Sequence, residues 1–339
     1  MGPDAPGISV ITVSYNCFDL LQECLRALAI DEPTAEVILV DNASSDRPAE
    51  RVAAEFPQVS IIGLDANRGF AVANNIGASA ASGGLLLFLN RDTIVRPGAI
   101  RVLTAALVGP SAANVGLVGP ELIFPGGKVQ PSAHSSFPGV IEHTLHYNFA
   151  LLSLIRRFTR PDWDWGLTYP IPLAERRTEH LSGAALMTRS SDFELAGGFD
   201  ERYFLYLEET DLCFAYRQLG LEILYVPEAT VEHHMGGSSG ETVLGQGAPA
   251  HLKSRYYFLN KNRGHFAASA CFGIALVSLA LNVLILAVGD ALNERPATVE
   301  AKRFTRRALR WHLTNLHSLI GRGSNALPSG TGDATSRAD

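Results

Sequence analysis

The run Leu85-Leu86-Leu87-Phe88-Leu89 constrains this chain most, because consecutive apolar side chains can all be buried in a strand only if both of its faces are covered. Such a strand belongs in the middle of a sheet with helices on each side. Three further apolar runs precede it: Ile8 to Val13, Val37 to Val40 and Ser60 to Leu64. Between them Leu21, Cys24, Leu25 and Leu28 recur at helical spacing, and Pro48 stands where a helix would begin after the turn Asn42-Ala43-Ser44-Ser45-Asp46. Strands alternating with helical patterns predict βαβ units, hence an α/β fold with a Rossmann-like, mainly parallel sheet flanked by helices. With 339 residues, 47% of them hydrophobic, the chain can bury a full core and carry an appendage.

Ligands of an open parallel sheet bind beyond the carboxyl ends of its strands, so the polar residues that follow each apolar run are the ones to weigh. They are Ser14, Tyr15 and Asn16; Asp41 and Asn42; Asn67, Arg68 and Gly69; and Asn90, Arg91 and Asp92. Each set alone is ordinary turn chemistry. All four at one edge favour a ligand site. Asp92 can hold Mg²⁺ or Mn²⁺ against a diphosphate, Asp41 can accept hydrogen bonds from a base or ribose, and Arg68 can face phosphate or simply solvent. In the second half, His180-Leu181-Ser182-Gly183-Ala184 precedes Gly198-Phe199-Asp200-Glu201, and an aromatic stretch leads into Glu208-Glu209-Thr210-Asp211. Crowded carboxylates raise one another's pKa, which suits a general base; an acidic helix start favoured by the helix dipole is the plainer reading.

Phe266 to Val288 contains no charged residue and is long enough to span a bilayer. Lys261 and Arg263 precede it, and Lys302, Arg303, Arg306, Arg307 and Arg310 follow among Phe304, Leu309, Trp311, Leu313 and Leu316. Residues 266–320 are therefore read as a membrane-associating region, with a span, a hairpin, a shallow insertion and a helix packed on protein all left open. Residues 1–265 form the catalytic unit, with a nucleotide-binding half to 110 and an acceptor half from 111, and residues 321–339, rich in Ser, Gly, Thr and Asp, read as a disordered tail. A formal charge of −6 gives no surplus of Lys and Arg for a nucleic-acid backbone, so nucleic acid is not an expected partner. The four cysteines, Cys17, Cys24, Cys213 and Cys271, have no metal-like spacing and read as reduced structural thiols. Met1 to Gly7 carries Asp4 and two prolines rather than a basic, apolar leader, which predicts a cytoplasmic location, at the inner face of the membrane.

The motifs taken together resemble family 2 glycosyltransferases of GT-A fold, and among them the bacterial rhamnosyltransferase-like branch. The likeness covers roughly residues 8 to 265 and rests on Val13-Ser14-Tyr15-Asn16, Val40-Asp41-Asn42, Asn67-Arg68-Gly69-Phe70 with Asn74-Asn75-Ile76-Gly77, and Leu89-Asn90-Arg91-Asp92-Thr93. It continues through Ser182-Gly183-Ala184, Gly198-Phe199-Asp200-Glu201, Glu208-Glu209-Thr210-Asp211-Leu212 and His233-His234-Met235-Gly236-Gly237-Ser238. The resemblance implies a nucleoside-diphosphate sugar as donor, dTDP-rhamnose foremost and UDP- or GDP-sugars next, and a cell-envelope glycan or lipid-linked acceptor. It implies that Asp41 contacts the nucleobase, with Ser14, Tyr15, Asn42, Asn67, Arg68, Gly69, Asn74, Asn90 and Arg91 on the donor side. It implies that Asp92 binds metal and diphosphate, with His233 or else His234 completing the metal site. Glu209 is the implied general base, Asp211 the second choice and Glu208 beside them; Ser182, Gly183 and Ala184 lie on the acceptor side. Three departures stand out: Asn90 replaces the first acid of the metal motif, Glu209 replaces the commoner Asp, and Ala215 stands where an arginine is often found, with Arg217 two positions on.

The mechanism so implied is a single in-line displacement with inversion at the anomeric carbon. A sugar-phosphate nucleotidyltransferase is the same-fold rival, although no glycine-rich basic loop follows the first strand. A catalytically inactive, membrane-associated scaffold is the rival from another class.

Overall fold

The computed structural model describes residues 7–110, 112–148, 177–234, 248–290 and 296–316. The stretch Met235 to Ser238 and the tail from 321 lie outside the described residues.

The first half is β1 (Ile8–Ser14), α1 (Phe18–Asp31), β2 (Glu36–Asp41), α2 (Pro48–Glu55), β3 (Ser60–Gly63), α3 (Phe70–Ala80), β4 (Leu85–Leu89), β5 (Thr93–Val95) and α4 (Ala99–Val108). There follow β6 (Val115–Ile123), β7 (Val129–Gln130), β8 (Ala133–His134), α5 (Val140–Tyr147), β9 (Arg177–Thr178), β10 (His180–Leu181), β11 (Ala185–Arg189), α6 (Ser190–Leu195), α7 (Glu208–Gln218) and β12 (Glu222–His233). Three helices close the chain: α8 (Ala248–Arg263), α9 (His265–Asp290) and α10 (Pro296–Thr314).

The main sheet runs β3-β2-β1-β4-β11-β6-β12-β5, with β7 paired to β6 and β9 to β12, while β8 and β10 make a small separate sheet. Strands β3, β2, β1 and β4 are parallel, so their carboxyl ends share one edge. Strand β11 then enters antiparallel beside β4, with Ala185 opposite Leu89, which brings the residues just before β11 to that same edge. The strand that most constrained the sequence is buried on both faces. Leu85, Leu87 and Leu89 join the cluster of Leu21, Leu25 and Leu28 from α1 and Leu103 and Leu107 from α4. Leu86 and Phe88 join Phe193, Phe199, Leu212 and Tyr216 on the other side. The sheet is mixed but mostly parallel and flanked by helices, as the resemblance to GT-A enzymes implies.

Helices α5, α8, α9 and α10 form a further layer around Tyr147, Leu252, Tyr256, Leu259, Phe272, Leu279 and Phe304. On α9 the residues Ala268, Cys271, Phe272, Ala275 and Leu279 recur at helical spacing and are buried, and the amide of Asn282 donates to the Tyr147 carbonyl at 2.7 Å. Its opposite face is exposed at Phe266, Val277, Leu281 and Leu284. His265–Ala287 is long and apolar enough to cross a membrane, yet one side of it is packed on protein. No disulfide joins the four cysteines, and burial pushes the thiol of Cys24 up to about 12.

Candidate active site

The loops beyond β1 to β4 knit themselves into one surface. Ser44 Oγ accepts the Asn16 amide, Asn16 Oδ1 accepts Ser45, and Asp41 Oδ1 caps the Ser44 amide at 3.0 Å. Asn42 is buried and works as a latch: its Oδ1 accepts the Arg68 amide at 2.8 Å, and its Nδ2 donates to Asn67 Oδ1 and the Gly69 carbonyl. Gly69 has φ +87°, and a side chain there would meet the Phe204 carbonyl at 2.5 Å, so glycine is required both by conformation and by close approach. The Arg68 guanidinium forks onto Asp65, and Asn74 bonds back to the Phe70 carbonyl within its own helix. The neighbouring Asn75, quoted with Asn74 in the motif but given no role there, ties α3 to Phe199 through both its amide nitrogen and oxygen. Ser14 is buried, and its hydroxyl has no hydrogen-bond partner among the described residues; Tyr15 is partly exposed beside it.

The non-glycine residues with positive φ among the described residues are Asn16, Cys17, Ala43 and Arg47, in the loops beyond β1 and β2, and Tyr206 and Leu207, immediately before α7. Left-handed backbone at side-chain-bearing residues is unfavourable and gathers where geometry must be exact for a ligand or reaction.

Asp92 is brought to His233 by the antiparallel pairing of β5 with β12, in which Thr93 stands opposite His233 and the His234 amide donates to the Asp92 carbonyl. Asp92 Oδ1 lies 3.6 Å from His233 Nε2. The other ring nitrogen, Nδ1, lies 3.1 Å from Gln130 Oε1, while Gln130 Nε2 donates to the His233 carbonyl at 2.6 Å. The amide oxygen at Nδ1 orients the ring so that Nε2 faces Asp92: with both nitrogens protonated Nε2 pairs with the carboxylate, and in the neutral tautomer with its proton on Nδ1 the Nε2 lone pair is open to a metal. His234 instead binds Glu232 at 2.9 Å, on the opposite face of the strand. Burial works against the Asp92 charge, and the hydrogen bond and charge of His233 with the charge of Arg91 outweigh it, holding the carboxyl below its ordinary value. Arg91 is buried, and its Nε and one Nη have no hydrogen-bond partner among the described residues, so the guanidinium keeps two donors that can serve an anion. One carboxylate, one oriented imidazole and one buried guanidinium fit a divalent cation with a diphosphate; no protein cluster of three or more ligating side chains occurs among the described residues. Asn90 contributes its backbone: its amide donates to the Ala184 carbonyl at 2.9 Å.

That bond carries the edge across to the second set of residues. Ser182 donates its amide to Ser132, Ala184 is buried, and Gly183 lies against Glu209: a methyl added at Gly183 would stand 3.2 Å from Glu209 Cβ and 3.3 Å from Cγ. Glu208 and Glu209 open α7 directly after the left-handed pair Tyr206 and Leu207, with no side-chain cap. Burial pushes Glu209 up to about 7 against hydrogen bonds from its own amide and from Thr210. Glu208 is raised well above the usual range by burial and then by the charge of Glu209, and its Oε2 has no partner among the described residues. Asp211 differs from both. It accepts Lys261 at 2.6 Å, Asn262 at 2.7 Å and the Tyr203 hydroxyl at 3.2 Å, so its lone pairs are engaged. Gln130 and Lys261 had no local pattern to announce them.

Residues 9–156 match the family model described as glycosyl transferase family 2. The N-acetylglucosaminyl-diphospho-decaprenol L-rhamnosyltransferase of Mycobacterium tuberculosis is 33% identical over 271 residues, covering 74% of this chain and 83% of that protein. The dTDP-rhamnosyl transferase RfbF of Shigella flexneri is 22% identical over 262 residues, 75% of this chain and 78% of that protein. Among solved structures, GalNAc-T7 with UDP, GalNAc and Mn²⁺ superposes with a TM-score of 0.56 at 16% identity, over 94% of this chain and 58% of that one. The mannosyltransferase PcManGT from Pyrobaculum calidifontis, with GDP-Man and Mn²⁺, gives 0.54 at 16% identity, over 92% and 87%. The structural likenesses carry the fold, and the sequence likeness across most of both chains carries the family: this chain belongs to glycosyltransferase family 2, on its rhamnosyltransferase branch.

Proposed function

We propose that the chain transfers rhamnose from dTDP-rhamnose, or failing that a sugar from a UDP- or GDP-donor, to a hydroxyl of a cell-envelope glycan or lipid-linked acceptor, with inversion. Relatives whose names specify rhamnosyl transfer, one to a diphospho-decaprenol acceptor, support the donor and acceptor classes. The observation that carries the chemistry is a half-buried carboxyl, Glu209, raised to about 7 and packed on Gly183, one residue from the carbonyl that binds the Asn90 amide beside Asp92. A base with that affinity takes a proton from a hydroxyl near neutral pH, where an ordinary carboxylate is too weak and an ordinary lysine already protonated.

In this reading Asp41 and Asn42 shape the donor's base and ribose seat, and the Arg91 guanidinium meets the diphosphate. Asp92 and His233 would hold Mg²⁺ or Mn²⁺, which supplies Lewis-acid stabilisation to the charge that grows on the departing diphosphate. Glu209 accepts the acceptor's proton as its oxygen attacks the anomeric carbon from the opposite side, and Asp211, fully hydrogen-bonded, holds the turn rather than the proton. The exposed apolar face of α9 and the exposed Arg303, Arg306, Arg307 and Arg310 of α10 support a seat on the cytoplasmic face of an anionic membrane, where a lipid-linked acceptor would be reached.

The test is Glu209→Gln assayed with dTDP-rhamnose. Turnover should fall roughly 100-fold or more while donor affinity by calorimetry stays within about threefold, and wild-type kcat/KM should rise with pH through about 7. Retained turnover would remove Glu209 as base, and an absence of donor binding by the wild-type protein with Mg²⁺ or Mn²⁺ would favour the inactive scaffold.

A further inference from the structure

We propose that Lys261 on α8 is the positioning residue for the base-bearing turn, supplying across the domain the cation that α7 lacks at Ala215. The inference rests on Glu209 as the base.

Ala215 leaves α7 without a positive side chain one turn beyond Asp211. Arg217, the nearest arginine in sequence, does not make up the deficit, because its guanidinium goes to Glu179 at 3.3 Å and to the Leu221 carbonyl. Arg263 lies over the Phe214 ring instead. Lys261 alone among these reaches the acid: its Nζ lies 2.6 Å from Asp211 Oδ2 and 2.7 Å from Asp200 Oδ2. Both carboxylates are nearly buried, at 6% and 10% side-chain exposure, while Lys261 is 32% exposed, so the pairs are screened less than a surface ion pair but not wholly shielded. With Arg202 forked onto Asp200, the cluster holds two cations and two carboxylates and closes without net charge.

What Lys261 joins is the stretch between Asp200 and Asp211, which contains the left-handed Tyr206 and Leu207 and ends on Glu208 and Glu209. The same face of α8 grips this stretch along its length. Ser254 donates to the Leu205 carbonyl, Tyr257 to Asp200, and Asn262 to Asp211, while Phe258 packs on Tyr203 and Leu207. Spacings of three to four residues put all of these on one side of the helix. A strained turn persists only where its surroundings over-determine it, and here the surroundings come from α8. A cavity of about 320 Å³ lined by Asp211, Ala215 and Lys261 leaves room for a longer side chain at 215. A guanidinium there would approach Asp211 from its own helix, so the two cation positions are interchangeable in principle.

The experiment compares Lys261→Met, Lys261→Arg, the double variant Ala215→Arg/Lys261→Met, and Glu209→Gln in steady-state turnover and in dTDP-rhamnose calorimetry. Lys261→Met should lose roughly 10- to 100-fold in kcat with donor affinity within about threefold of wild type, Lys261→Arg should keep most activity, and Ala215→Arg should restore at least about tenfold of the loss. Lys261→Gln, which keeps a hydrogen-bond donor, takes the place of Lys261→Met if the latter does not fold. Turnover of the Lys261 variants within about twofold of wild type, donor affinity falling in step with kcat, or no recovery in the double variant overturns the proposal. An active Glu209→Gln enzyme overturns the base assignment instead, so the two failures are told apart.

Discussion

Glu208 and Glu209 begin a helix whose dipole welcomes their charge, and the fold nevertheless sets both where ionisation is disfavoured. For Glu209 the folded value, about 7, lies above that of an unfolded glutamate, so between the two the folded protein keeps a proton that the unfolded chain has released. The stability this group contributes is present below the unfolded value and is lost as pH rises through about 7. Glu209→Gln should therefore raise the stability of the protein at about pH 8 by on the order of 2 kcal/mol, and the gain should shrink to nothing by about pH 4. Denaturant titrations at both pH values check it; a variant less stable than wild type at the higher pH would show that burial is not what raises the carboxyl. The same change removes the proposed base, so stability and turnover should move in opposite directions. The neighbouring Asp211 shows the limit of reading residues singly. Three close carboxylates were visible in sequence, but two of the three donors that engage Asp211, Lys261 and Asn262, sit about fifty positions later, on a helix with no motif.

Elements explain which parts of the site could be read in advance. Strand β4 begins and ends where its apolar run does, and β1 to β3 lie within a residue of theirs; β1 and β4 are covered on both faces and write their burial into consecutive residues, while the edge strand β3 is marked only by its short β-branched run. The polar residues beyond those strands were legible for the same reason. Strands β5 and β11 were not, since their places are set by partners far along the chain, β5 by β12 and β11 by β4, and the two-residue β7, hairpin partner of β6, is too short to write a pattern. Gln130 belongs to the two-residue β7 and acquires its role only when β6 and β12 bring His233 against it. Gln130→Ala should lower Mn²⁺-dependent donor affinity roughly 10- to 100-fold while leaving metal-free nucleotide binding unchanged, as loss of an orienting partner does at metal-bound histidines. Equal affinity with and without Mn²⁺ in both proteins would sink the metal assignment of Asp92 and His233.

On the scale of the whole molecule, α8 belongs to two structures at once, the helical layer with α5, α9 and α10 and the clamp on the α7 turn. Seating that layer on a membrane would fix the base-bearing turn relative to the lipid surface. Flotation should show binding to phosphatidylglycerol-containing vesicles and little to phosphatidylcholine alone. Replacing Arg303, Arg306, Arg307 and Arg310 by Ala should abolish it, each arginine being worth about 1 kcal/mol near an anionic surface. Val277→Glu with Leu284→Glu should weaken it as well. Binding that ignores both the arginines and the lipid charge would place the layer elsewhere.

The central place of β4 has a further consequence during synthesis. One of its edges pairs with β1, made well before it, but the other waits for β11, about a hundred residues downstream. At roughly 5–20 residues per second, the emerging chain carries a wholly apolar strand with an open edge for on the order of ten seconds. A nascent-chain chaperone has most to offer this protein in that interval.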